Sequence, residues 1–359
     1  MYSERFILDG VPPIDGRKGP ALKMTARRYR IPGASKENID GLTLIFAHCI
    51  GSREFRSSSL LLVALPILTP QTKNNGSPTI ERIFDLQEAK SPRHRIREAW
   101  AFDWQNHGDA AVLNERALRE RPEGVSICEW APAIASFVRS PRMRGHRIVA
   151  LGHSAGAGAM MLTTQSSPPY AGLVLIEPTM ITEDVFRAHF ADRMATMEGA
   201  VCATSIRRDR WAGRDDARSW LSGRFPWRVW DNKVLDIYVK HGLRDHYQGG
   251  VALKCDRKQE AMSYPDVDGH FEATTELAKV CHAVPVHVIW GTHNDLVPDY
   301  FQDCLIDASQ GRYVASVTRV RGAGHMIVQE KPDLLAETIC DVLDTIGVNH
   351  RAGPSRSRL

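Results

Sequence analysis

The run "RIVALGHSAGAGAMML", residues 147–162, constrains the fold more than any other part of the chain. Apolar and branched residues lead into Gly152-His153-Ser154-Ala155-Gly156, and an Ala- and Met-rich stretch follows at once. A strand joined directly to a helix leaves a single tight turn, with the serine at its strained corner. Side chains two positions before and after that corner would collide, which is why Gly152 and Gly156 stand there. The turn lifts the Ser154 hydroxyl off the sheet and aims a helix N-terminus at it, which favours developing negative charge. A bare G-x-S-x-G is weak evidence; flanked by strand and helix it predicts a nucleophilic serine.

The rest of the chain supplies a sheet for this elbow. Short runs rich in branched residues alternate with helical patterns, predicting a mostly parallel sheet with helices on both faces. The expected strands are Leu42–Ala47, Ile96–Phe102, Arg147–Leu151, Leu173–Ile176, Val284–Trp290 and Tyr313–Val320. Helices are expected in "SPTIERIFDLQEA", with Ser77 as cap and Pro78 in the first turn, in "SICEWAPAIASFV" and in "KPDLLAETICDVLDTI". Between Pro178 and about Pro265 the strand rhythm stops, and Trp211, Trp220, Trp227 and Trp230 occur among many arginines. The predicted organisation is therefore a first core part over 1–177, a helical lid over 178–265, a second core part over 266–348 and a flexible tail over 349–359. Residues 56–77 fit neither rhythm and receive no assignment.

A nucleophilic serine needs an oxyanion hole, a base and an acid. Ala155, directly after the nucleophile, is expected to give one backbone N–H, and Ile50, in the loop "FAHCIGSREF", the other. Cys49 beside it is read as a packing residue. His325 follows the last strand in the chain order serine, acid, histidine and is the expected base. His107 in "DWQNHGD" is instead read as organising its own loop.

The acid is the difficult assignment. Counted from Gly291 in "GTHNDLVPDY", the customary position is Asn294, which carries no charge, and Asp295 is one step off. Glu177, directly after the apolar strand "LVLI", offers a carboxylate one strand nearer. Glu177 is preferred, with Asp295 as the alternative.

Composition narrows the partners. A net charge of +4 over 359 residues makes no case for nucleic acid, and an apolar content of 43% suits an ordinary globular core. Seven scattered cysteines form no CxxC pair and no metal-ligand spacing, suggesting a reducing compartment. No phosphate-cradling loop or dinucleotide fingerprint occurs, so neither cofactor nor metal is expected. The run Leu60–Leu68 is too short to span a bilayer. Ser357-Arg358-Leu359 is a tripeptide of the peroxisomal-address type, which predicts contact with an import receptor.

The segments "HCIGSRE", "PTIERIF", "EAWAFDWQNHGDAAVLNE", "LGHSAGA", "LVLIEPTMI", "VLDIYVKHGLR", "LKCDRKQEAMSYP" and "GAGHMIVQEKP" together resemble fungal peroxisomal α/β-hydrolases. That group includes the acyl-CoA hydrolase of mycophenolic acid biosynthesis and hydrolases of host-selective toxin pathways. The resemblance covers most of residues 40–345, with 56–77 the exception. It implies an α/β-hydrolase fold with the lid inserted after the sixth strand, and an acid at that strand's end, where Glu177 stands. The family enzyme has Asp there, one methylene shorter. It further implies cleavage of a carboxylic ester or thioester, acyl-CoA included, in fungal secondary or lipid metabolism. The cluster Arg207, Arg208, Arg210, Arg214 and Arg218 would suit CoA phosphates. A lipase or general carboxylesterase, and a catalytically weak binding protein, are the alternatives.

Overall fold

In a computed structural model, residues 1–12, 20–31, 39–50, 72–90, 95–166 and 170–349 are described. The unassigned segment 56–77 therefore falls mostly outside the described residues, as does the tail from 350 onward.

Eleven strands form two sheets among these residues. The main sheet comprises β1 (Tyr2–Leu8), β2 (Met24–Arg30), β3 (Leu42–Ala47), β4 (Ile96–Asp103), β5 (Arg147–His153), β6 (Tyr170–Ile176), β10 (Val286–Gly291) and β11 (Ser316–Val320). Their spatial order is β1-β2-β4-β3-β5-β6-β10-β11. All neighbours from β4 to β11 run parallel, and β1 and β2 join antiparallel at the β4 edge.

The two N-terminal strands were not anticipated, because charge hides their alternation. Arg28 of β2 donates to the buried Glu98 carboxylate from Nε at 2.8 Å, so a charged residue serves a strand position next to the core.

Period-2 alternation divides the apolar side chains between the faces. Leu44, Ala101, Val149 and Val174 pack against helices Ser77–Gln87 and Pro332–Asn349. Ile45, Phe102, Ile148 and Leu173 pack against helices Ile127–Arg139, Ala155–Leu162 and Asp268–Val280. Each fully buried aliphatic side chain contributes roughly 1.5–3 kcal/mol. Ser126 caps the helix at Ile127 by accepting from the Cys128 N–H. Ser77 does not cap its helix as expected: Gly76 holds the cap position, and the Ser77 hydroxyl bonds Tyr29 Oη at 2.7 Å.

The insertion expected as a helical lid also carries strands. Helices Glu183–Ala188, Phe190–Ile206, Arg214–Ser222 and Asn232–His241 share it with β7 (Arg210–Trp211), β8 (Leu243–Asp245) and β9 (Val251–Leu253), an antiparallel sheet ordered β7-β9-β8. Trp211, Trp227 and Trp230 are buried in a cluster that also takes in Cys49 and Met326 from the main body. Cys49 is thus a packing residue, its thiol pushed up by burial.

The arginine cluster is engaged in ion pairs. Arg208 meets Asp216, Arg214 meets Asp245 and Arg218 meets Asp236, and Arg210 reaches Gln248. Arg207 is buried and bidentate to Glu260 at 3.0 and 2.6 Å, tying the end of helix Phe190–Ile206 to helix Arg257–Ala261. The expected phosphate patch is therefore not supported.

A buried pair of this kind tolerates joint replacement better than loss of one partner. Arg207→Met alone should lower unfolding stability by about 3–5 kcal/mol, and adding Glu260→Leu should recover most of it. Urea melts of the two variants check this; a double variant weaker than the single one would contradict it.

Candidate active site

The parallel ladder lines up the carboxyl ends of β5, β6 and β10: His153 pairs Ile176, and Ile176 pairs Ile289. The chain leaves each strand from that common edge. Ser154 follows β5 with φ 57° and ψ −122°, a left-handed corner outside the regions a serine ordinarily occupies. Close packing holds it there. A Cβ on Gly152 would lie 2.3 Å from the Gly156 carbonyl oxygen, and one on Gly156 would lie 2.4 Å from the Ala47 carbonyl oxygen.

Glu177 follows β6, also at positive φ (46°). Holding a non-glycine residue in this region costs on the order of 1 kcal/mol, so the surroundings must enforce it. They do: the Glu177 N–H donates to the Ile289 carbonyl at 2.8 Å, and its Oε1 accepts from the Gly291 N–H. Its other oxygen, Oε2, lies 3.2 Å from His325 Nδ1, and His325 Nε2 lies 3.0 Å from Ser154 Oγ. All three side chains are buried. With Nδ1–H donating to the carboxylate, Nε2 presents its lone pair to the Ser154 hydroxyl. The arrangement can draw a proton from Ser154 and hold the resulting imidazolium against a carboxylate.

Asp295 and Asn294 are placed otherwise. Asp295 Oδ1 accepts from the His325 backbone N–H at 2.8 Å and does not meet the imidazole. Its carboxylate lies so close over Gly324 that a Cβ there would be 2.2 Å from Oδ2. Asn294 bonds Asp299 and Gln302 of helix Asp299–Leu305. A further carboxylate, Glu330, went unnoticed in the sequence. It accepts from the Gly324 N–H at 2.9 Å, and burial raises its pKa. Only its spacing of five residues from His325 could have hinted at this.

His153 has a role beyond filling the elbow. Its Nε2 lies 2.7 Å from the His325 carbonyl oxygen, which only accepts, so Nε2 carries the proton. His107 stands at the N-cap position of the short helix Gly108–Leu113 without a side-chain capping bond, stacks on Trp104 and bonds Asn106.

Ile50, Ala155 and Ser154 line one cavity together with residues of the insertion, Phe186, Met197 and Ala200 among them. It encloses about 840 Å³ between protein atoms, open mouth included. Among the described residues no group of His, Cys, Asp and Glu forms a metal site, and no helix is long and apolar enough to cross a membrane.

The chain belongs to the Alpha/beta hydrolase family, whose model matches residues 45–338. Curated relatives are fungal: an abhydrolase domain-containing protein, AFT2-1, of Alternaria alternata is 30% identical over 124 residues, 33% of this chain and 44% of the relative. The match thus spans less than half the length of that protein. Among solved structures, the peroxisomal alpha-beta-hydrolase Lpx1 of Saccharomyces cerevisiae superposes with TM-score 0.72 at 16% identity, covering 100% of this chain and 92% of its own. E-2-(Acetamidomethylene)succinate Hydrolase gives 0.64 at 18%, covering 96% and 100%. At these identities the structures speak for the fold.

Burial, with the nearby His325, lowers the His153 pKa from 6.5 to about 3. In the unfolded chain the ring keeps its ordinary value, so between those limits only the unfolded state holds the proton. The stability this group contributes is complete above about pH 6.5 and is lost toward pH 3, by up to about 1.4 kcal/mol per pH unit. His153→Gln keeps an N–H donor for the His325 carbonyl and removes the titration. Urea midpoints between about pH 7 and 5 should fall less steeply in that variant; an unchanged slope would contradict the assignment.

Proposed function

We propose that the chain is a serine hydrolase that cleaves a carboxylic ester or thioester through an acyl-serine intermediate. The observation that carries this reading is the chain Ser154 Oγ, His325 Nε2, His325 Nδ1 and Glu177 Oε2, with steps of 3.0 and 3.2 Å across the ring, with Ser154 in the wall of a cavity.

Ser154 Oγ attacks the acyl carbon as its proton passes to His325 Nε2. The carbonyl oxygen takes up the negative charge and is held by the N–H groups of Ala155 and Ile50. Ala155 opens its helix, where the first N–H groups have no intrahelical acceptor. Collapse breaks the bond to the leaving oxygen or sulfur, which receives the proton from His325. Water then attacks the acyl-serine; His325 takes its proton and returns it to Ser154 Oγ as the acid departs. Glu177 holds the imidazole in the tautomer both halves require and opposes the imidazolium charge.

In this reading the insertion serves as a lid that closes over the acyl group. Kinship with the fungal peroxisomal hydrolases is likewise a proposal, resting on the shared segments and the Alternaria relatives. So is the peroxisomal location expected from Ser357, Arg358 and Leu359, tested by the distribution of a fluorescent fusion with and without the tripeptide.

Turnover of matched p-nitrophenyl and thioester substrates tests the chemistry. Ser154→Ala should abolish it, and Glu177→Gln should lower kcat by roughly 10²–10⁴-fold. Asp295→Asn should cost less than Glu177→Gln, because Asp295 holds backbone. A wild type no faster than Ser154→Ala on every substrate would overturn the reading, and a greater loss in Asp295→Asn would move the acid.

A further inference from the structure

We infer that Arg193 makes this site select substrates carrying an oxyanionic group away from the scissile bond. The inference rests on the hydrolase reading above and names the substrate class of that site.

Arg193 and Ser154 line the same cavity. Its described lining includes Phe186, Met197, Ala200 and Leu296 and contains no Asp or Glu; Arg193 is its only Lys or Arg. The arginine is only 9% exposed. A largely buried arginine needs an anion beside it, and the one the described residues supply lies outward. Nε and Nη2 donate to Asp192 Oδ2 at 3.2 and 2.6 Å, but the Asp192 side chain is 63% exposed. Solvent screens such a carboxylate and leaves the charge on the cavity side poorly compensated. Both contacts use one edge of the fork. Nη2 also reaches Thr196 Oγ1 at 3.4 Å, and among the described residues no acceptor meets Nη1.

The group is also held in place. Its guanidinium carbon lies 5.5 and 5.3 Å from the ring centroids of Tyr300 and Phe301, and Tyr300 Oη donates to Asp192 at 2.9 Å. Contact with two rings and the bonds to Asp192 restrain the guanidinium before a ligand arrives, so less freedom is lost on binding. A planar guanidinium so presented matches a carboxylate or phosphate through paired N–H groups. The competing account is mechanical: Arg193 pins helix Phe190–Ile206 to helix Asp299–Leu305. That role would affect every substrate alike.

The test is therefore a ratio. Two sources of the anion are separated by two pairs of probes: p-nitrophenyl hydrogen glutarate against p-nitrophenyl methyl glutarate for the acyl side, and butyryl-CoA against butyryl-pantetheine for the leaving group. In the wild type, kcat/KM should favour the anionic member of at least one pair by about tenfold or more. Arg193→Gln should reduce that ratio at least tenfold, and Arg193→Lys, which keeps the charge without the fork, should retain part of it. No preference in either pair, or equal losses on charged and neutral members, would overturn the inference while leaving ester hydrolysis standing. Calorimetry on Ser154→Ala gives a readout independent of turnover. Glutarate or coenzyme A should bind about tenfold more weakly when Arg193→Gln is added, and unchanged affinity for both would overturn the inference. If Arg193→Gln does not fold, the lysine variant carries both measurements.

Discussion

The site depends on backbone atoms packed closer than a side chain would allow. Gly156 rests against the Ala47 carbonyl at the end of β3, and Gly152 against the Gly156 carbonyl. These contacts press helix Ala155–Leu162 onto the strand ends and force Ser154 into its left-handed corner. The hydrogen-bond ladder then continues one residue past each strand: the Ser154 N–H donates to Ile176 and the Glu177 N–H to Ile289. A serine, a carboxylate and a receiving strand end thus sit side by side because the sheet's own pairing extends that far. Burying such a corner is tolerable only where every backbone group finds a partner.

The histidine loop shows how four acidic or amide groups divide one task. Asp295 and Glu330 hold the loop's backbone N–H groups, Glu177 meets the ring, and Asn294 secures helix Asp299–Leu305. A loop after a strand has no ladder of its own, and Gly324 adds no side chain to brace it. Carboxylates accepting from its N–H groups supply the missing restraint. Glutamate at position 177 suits this design: from its positive-φ corner it spans both the Gly291 N–H and the imidazole.

Over this frame the insertion builds the rest of the cavity. Its tryptophans pack on one another and on Cys49 and Met326, next to the oxyanion loop and the histidine respectively. Several of its arginines pair with its own acids, with Arg207 buried against Glu260, while Arg244 reaches Glu115 of the main body. Arg193 differs in lining the cavity, beside the rings of Tyr300 and Phe301. In the proposed reading the chemistry belongs to the sheet's edge and the selectivity to the insertion, a division that lets one change while the other stays.

The elbow, the parallel sheet and the order serine, acid, histidine were legible because each follows from local rules: a glycine spacing, a period of two or 3.6 residues, a position after a strand. Glu177 stood out for the same reason, as a charge at the end of an apolar run, but only as one candidate beside Asp295. Less local features were not. β2 was obscured because its arginines find acids on β4 and β1, partners that exist only once strands pair. The arginine cluster looked like a phosphate patch because sequence shows charge but not its neutralisation by Asp216, Asp236, Asp245 and Glu260. The sequence by itself determined which residues can do chemistry and on which kind of turn they sit, since backbone sterics are local. Only the tertiary structure decided which carboxylate meets the ring and which arginine faces the cavity. Those outcomes depend on distances between elements more than a hundred residues apart, and a hydrogen bond exists only where donor and acceptor come within about 3.5 Å.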